Sequence, residues 1–139
     1  MTYRKRRDGA PMVVACALAE RLPRLSALLR EHDIRRVEVL SAYRREPAVS
    51  YHHMGLALDI TAFVRASDVL HVERDWPELR GPTCSTRPED DSGRVLHAVV
   101  CAMHRSQIFS TVITPSYGRG HDNHLHVDIR PGDTWRFLR

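Results

Sequence analysis

The six residues His124-Leu125-His126-Val127-Asp128-Ile129 restrict what this chain can become more than any other stretch. Polar and apolar side chains alternate strictly, and a strand sends successive side chains to opposite faces. His124, His126 and Asp128 therefore share one face, and Leu125, Val127 and Ile129 share the other. The apolar face calls for a core, which leaves the polar face free for chemistry. A second stretch, Ser50-Tyr51-His52-His53-Met54-Gly55-Leu56-Ala57-Leu58-Asp59-Ile60, has a related character: histidines in a turn feed an apolar strand that contains a carboxylate. Five of the nine histidines, His52, His53, His121, His124 and His126, belong to these two regions. The remaining chain is then read as what holds the two strands together.

Two histidines two apart on one strand face can meet one metal ion, or one metal and its substrate. In the first region a loop residue, His52, and a strand residue, Asp59, can converge on the same ion, and Gly55 and Ala57 let the backbone pass close to it. Asp59 lies among Leu56, Ala57, Leu58 and Ile60, where an unpaired charge is costly; a metal or a hydrogen-bonded partner removes that cost. Two His and one Asp leave a fourth zinc position open for water, the pattern of catalytic rather than structural zinc. Such an ion acidifies water toward a pKa of about 7 and polarises a carbonyl, so a nearby base completes a hydrolase.

With 139 residues, one domain is expected, and 42% apolar residues suffice for a mainly aliphatic core. The division is a flexible arm over residues 1–10 and a folded domain over 11–139. The charge of +4 and pI near 9.3 are moderately basic. Only Tyr3-Arg4-Lys5-Arg6-Arg7 clusters, which reads as a solvated terminus. No basic stripe carries interleaved aromatics, so nucleic acid is not the expected partner. No apolar run is long enough to span a bilayer; residues 12–29 are interrupted by Glu20, Arg21, Pro23 and Arg24. A monomer is expected.

Pro11 is placed to open a helix, and Pro23 demands a kink or two abutting helices. Residues 37–43 and 56–63 read as strands, with 69–72 as a hairpin partner. Residues 76–92 read as a long surface loop, after which Asp91 or Ser92 caps a helix bearing Val95, Leu96, Val99, Val100 and Met103. Strands follow at 109–113 and 125–129, then a short tail at 134–139. The fold class is α+β, with helices on one side of a mainly antiparallel sheet. Of three cysteines, Cys84 in the loop and Cys101 in the helix are placed to form a disulfide, which suits an oxidising compartment. Cys16 reads as a small buried hydrophobe.

Ser50-x-His52-x-x-Gly55-x-Ala57-x-Asp59 followed by His124-x-His126 resembles the motif pair of the LAS metallopeptidases, the relatives of lysostaphin, D-Ala-D-Ala peptidase and sonic hedgehog. Within them the chain is most similar to the M15-like, extensin-like C-terminal domain family. The segments Leu40-Ser41-Ala42-Tyr43-Arg44, Asp75-Trp76 and Val112-Ile113-Thr114-Pro115 add to the likeness, which spans roughly residues 11 to 130. The resemblance implies a hedgehog/DD-peptidase-like fold, with His52, Asp59 and His126 as zinc ligands. It further implies His124 or His121 as general base, Arg44 as the holder of a substrate carboxylate, and Ser50 and Asp128 as residues that orient ligands by hydrogen bonds. The base position carries His where the group also uses Glu, and the cysteine that many members place near Tyr43-Arg44 is absent. The expected function is a zinc-dependent peptidase acting on peptidoglycan stem peptides, as a D-Ala-type carboxypeptidase or endopeptidase. It would be exported to the periplasm or secreted, with any signal peptide absent from this chain. The alternative is a zinc-stabilised module that binds cell-wall or extracellular ligands without cleaving them.

Overall fold

The computed structural model describes residues 2–5, 12–79, 83–118 and 120–139. Among them the order is β1 (Thr2–Lys5), α1 (Cys16–Ala19), α2 (Leu22–Glu31), β2 (Ile34–Ser41), β3 (Ala57–Arg65), β4 (Val69–His71), α3 (Val72–Asp75), α4 (Asp91–Arg105), β5 (Thr111–Ile113), β6 (Leu125–Asp128) and β7 (Phe137–Leu138). The class is mixed α and β, with the sheet supplying most of the core.

β3 is central. Antiparallel β2 lies along one edge, while β6 and β4 share the other, β6 beside residues 57–60 and β4 beside residues 62–64. β5 continues the sheet beyond β6, also antiparallel. The two outermost pairings, β1 with β2 and β5 with β7, are parallel. Leu58, Ile60, Leu125 and Val127 join Leu25, Leu28 and Leu29 of α2 and Leu96, Val99, Val100 and Met103 of α4 in one core cluster. The alternation of β3 and β6 thus sends Asp59 and His126 to the face turned away from these helices.

Two of the three register shifts between β2 and β3 tune that alternation near the centre of the sheet. Glu38 pairs with Ala62 but Val39 pairs with Ile60, so Thr61 is an extra residue on β3. Leu40 is likewise extra on β2, between the pairs Val39–Ile60 and Ser41–Asp59. An extra residue switches the face of everything beyond it. Phe63 therefore enters the same core as Ile60, although the two stand three positions apart in the sequence.

Several elements depart from the sequence reading. Thr2–Lys5, placed in a flexible arm, form a strand on β2, because Thr2 to Lys5 find the free edge at Arg36 to Val39. Residues 6–10, with the rest of the basic cluster, and the helix start at Pro11 lie outside the described residues. Pro23 does sit in the first turn of a second helix, α2. The cap of α4 is Asp90 rather than Asp91 or Ser92: its carboxylate accepts from Gly93 N at 2.6 Å. The tail is not free either, since β7 pairs with β5 and Arg139 exchanges backbone hydrogen bonds with Val112 and Thr114. Cys84 and Cys101 form a disulfide, and Cys16 is exposed rather than buried. Among the described residues no helix is long and apolar enough to cross a membrane.

Candidate metal centre

His52 is delivered by the turn that precedes β3. That turn is closed by its own backbone, with Gly55 N donating to His52 O at 3.0 Å and Met54 N to Ser50 O at 3.3 Å. Gly55 adopts φ +68°, and Ala15 N donates to its carbonyl at 2.9 Å. The close approach that needs a glycine is therefore to the segment before α1, not to the site. Asp59 and His126 are register partners on β3 and β6, which places their side chains next to one another on one face.

Three side-chain atoms then meet. Asp59 Oδ1 lies 3.1 Å from His52 Nε2 and 3.0 Å from His126 Nδ1, and the two ring nitrogens are 3.3 Å apart. Tetrahedral zinc with ligand bonds of roughly 2.0–2.1 Å would separate its ligand atoms by about 3.3 Å. The triangle matches that spacing. His52 and Asp59 are almost fully buried.

The hydrogen-bonding logic of the triangle is specific. The Ala42 carbonyl can only accept, so His52 Nδ1, at 2.6 Å, carries the proton it donates. The neutral ring then presents a lone pair at Nε2. His126 Nε2 lies 3.3 Å from Asp128 Oδ2 and donates to it, which leaves the neutral ring a lone pair at Nδ1. Two nitrogen lone pairs and a carboxylate oxygen therefore face one another. A proton on His126 Nδ1 or a cation among the three resolves that conflict. His52, Asp59 and His126 form a group able to hold a metal ion.

Electrostatics agree in direction. Burial alone would raise the Asp59 pKa, but the imidazoles of His126 and His52 against it outweigh that and hold the carboxyl well below its ordinary value. Burial alone would lower His126; Asp128 and Asp59 outweigh it and raise the imidazole to about 9. His124 is shifted the other way, chiefly by burial, with Asp59 opposing. Its Nδ1–H donates to Asn123 Oδ1 at 2.7 Å, so Nε2, 3.5 Å from Asp59 Oδ1, is the free basic nitrogen. His121 donates from Nδ1 to Gly118 O at 3.1 Å, and its ring centre is 5.2 Å from that of His124 and 6.0 Å from that of His126.

The other residues named from sequence are placed as follows. Asp128 is buried and touches His126 directly. The Ser50 hydroxyl bridges Pro47 O and His53 N rather than a side chain of the triangle, and so shapes the turn that carries His52. Arg44 has an exposed side chain, and its backbone N–H donates to His52 O at 3.4 Å. His53 turns away, with Nδ1 2.8 Å from Arg45 O. Sequence reasoning missed the Ala42 carbonyl and Asn123. A backbone acceptor has no residue signature, whereas Asn123, directly before His124, was open to notice.

Residues 11–139 match the family described as Extensin-like protein C-terminus. No curated protein and no solved structure matches the chain. That match extends over the domain that builds the triangle, and this chain belongs to the extensin-like protein C-terminus family.

Proposed function

We propose that the chain is a zinc-dependent peptidase that hydrolyses peptide bonds in peptidoglycan stem peptides, with a hedgehog/DD-peptidase-like fold and M15-like chemistry. The observation that carries this reading is the convergence of His52 Nε2, Asp59 Oδ1 and His126 Nδ1 with their lone pairs facing inward. Zinc held there would supply a Lewis acid and a water acidic enough to act near neutral pH. His124 Nε2, on a ring that burial depresses toward the neutral form and whose Nδ1 is the atom bonded to Asn123, takes the proton of the attacking water; His121 stands beside it as the second base. The same imidazole returns that proton to the leaving amine. Arg44, exposed next to the His52 backbone, binds a substrate carboxylate. The disulfide supports an exported setting.

The test is metal analysis of the purified protein followed by incubation of the zinc-loaded protein with stem peptides. The expected result is one zinc per chain, lost in His126→Ala and Asp59→Ala, and peptide cleavage lost in His124→Ala with zinc retained. Wild-type protein without zinc would overturn the metal reading. Zinc and peptide binding without cleavage would leave the binding module in its place.

A further inference from the structure

His126 is oriented by Asp128, and Asp128 is itself held. Its backbone carbonyl accepts from Ser110 N at 2.8 Å, and the Ser110 hydroxyl accepts from Arg130 N at 2.9 Å. This pins the chain on both sides of Ile129. The Arg130 side chain then folds back: Nε lies 3.6 Å from Asp128 Oδ1, an ion-pair distance just beyond hydrogen-bond reach. Neither of those two buried atoms makes a hydrogen bond among the described residues. They face each other by ionic attraction alone. The guanidinium also lies over two aromatic rings, with Cζ 4.9 Å from the centre of Tyr51 and 4.8 Å from that of Trp135. Tyr51 is the residue before His52. Trp135 belongs to the tail and stacks on Phe137 at 5.2 Å, with the ring planes 14° apart. Phe137 in turn leads through Tyr117 to His121.

We infer that Arg130 is a positioning residue of the metal centre, held against Tyr51 and Trp135 so that it fixes the Asp128 carboxylate and, through it, the direction of the His126 Nδ1 lone pair. The inference rests on the metal reading given above. Asp128 has two oxygens to offer. With Oδ1 engaged by Arg130, Oδ2 meets His126 Nε2 at 3.3 Å. Without Arg130 the carboxylate is free to rotate, and the imidazole it steadies loses its aim. Residues that orient a ligand in this way are worth roughly 10–100-fold in metal affinity.

A purely electrostatic role has the opposite sign. A cation beside Asp128 reduces the negative charge near a dication, so on charge alone its removal tightens metal binding. This makes the direction of the effect decisive. Zinc is titrated into the full chain against a chelating indicator for wild type, Arg130→Gln, Asp128→Asn and the double variant. The expected result is that Arg130→Gln weakens zinc by roughly tenfold or more. In the Asp128→Asn background the same change adds less than about twofold, because the two act as a unit. Zinc affinity equal to or tighter than wild type in Arg130→Gln overturns the inference, as does a full additional loss in the Asp128→Asn background. Trp135→Leu guards against a variant that fails to fold, since Trp135 is 45% exposed. It removes one wall of the stack while leaving Asp128 and Arg130 in place. Zinc weakened by roughly threefold supports the inference, and unchanged affinity overturns the part played by the tail. Absence of zinc in the wild type fails the metal reading itself and is seen before any variant is compared.

Discussion

At His126 two carboxylates compete with burial, and the carboxylates prevail. Asp128 sits at Nε2 and Asp59 at Nδ1, and the pKa rises to about 9 from an ordinary 6.5. In metal-free protein the folded state thus holds this proton more tightly than the unfolded chain does. The stabilisation is fully present below 6.5 and is lost as pH rises through about 9. Asp59 runs the other way: its carboxyl is held below the ordinary 3.8, so its contribution is present above 3.8 and lost in stronger acid. Thermal unfolding of the protein in chelator is expected to peak between these limits and to decline on the alkaline side. Zinc binding needs the Nδ1 lone pair and must expel the same proton, so affinity should climb with pH up to about 9 and then level. Zinc titrations at several pH values, with proton release followed in weak buffer, check this. Affinity independent of pH across the neutral range would contradict the proposed proton at Nδ1. His52, Asp59 and His126 were legible in the sequence because ligand residue types recur there at strand and turn spacing. Arg130 was not, because its relation to Asp128 exists only once Trp135 folds back over it.

Elements carry information that residue types do not. Residues 57–63 are buried without a break, so no alternation reveals which way Asp59 and Phe63 point. The extra residue at Thr61 lets both Ile60 and Phe63 reach the core while Asp59 faces His52 and His126. Such a bulge is written in the pairing with β2, which a single strand's sequence does not display. The hairpin to β4 was readable from its apolar run and turn, but β1 and β7 were not. Each is a short edge strand whose partner lies far away in the chain. Gly55 is an informative case at this scale. It was legible as a close-approach residue, yet what it approaches is Ala15, whose N atom would lie 2.8 Å from an added Cβ. That obstacle is backbone, and φ is +68°, so relief must come from movement of the turn itself. Gly55→Ala is expected to cost roughly 1–3 kcal/mol in denaturant unfolding. Because the same turn presents His52, zinc affinity should fall with it. Full retention of both would show that the turn and the segment before α1 move apart freely.

Across the whole molecule the sheet separates two functions. One face carries α2, α4 and the aliphatic cluster; the other carries the His52–Asp59–His126 triangle under the loops that hold His52, His121 and His124. The disulfide belongs to the first side, where it ties the turn at Thr83–Ser85 to Cys101 of α4 across 17 residues of chain. Closing a loop of that length removes conformational freedom from the unfolded chain worth about 3 kcal/mol. Nothing in the triangle depends on it, since His52, Asp59 and His126 are fixed by β2, β3, β6 and Asp128. Reduction, or replacement of both Cys84 and Cys101 by Ala, should therefore lower the unfolding midpoint by about 10 °C. Well below that midpoint, zinc affinity should stay within about twofold of the oxidised protein, because local geometry rather than global stability sets it. Calorimetry and zinc titration on the same reduced sample separate the two effects. Parallel loss of both would mean that α4 transmits its position through the sheet to β6, and the faces would then be one mechanical unit rather than two.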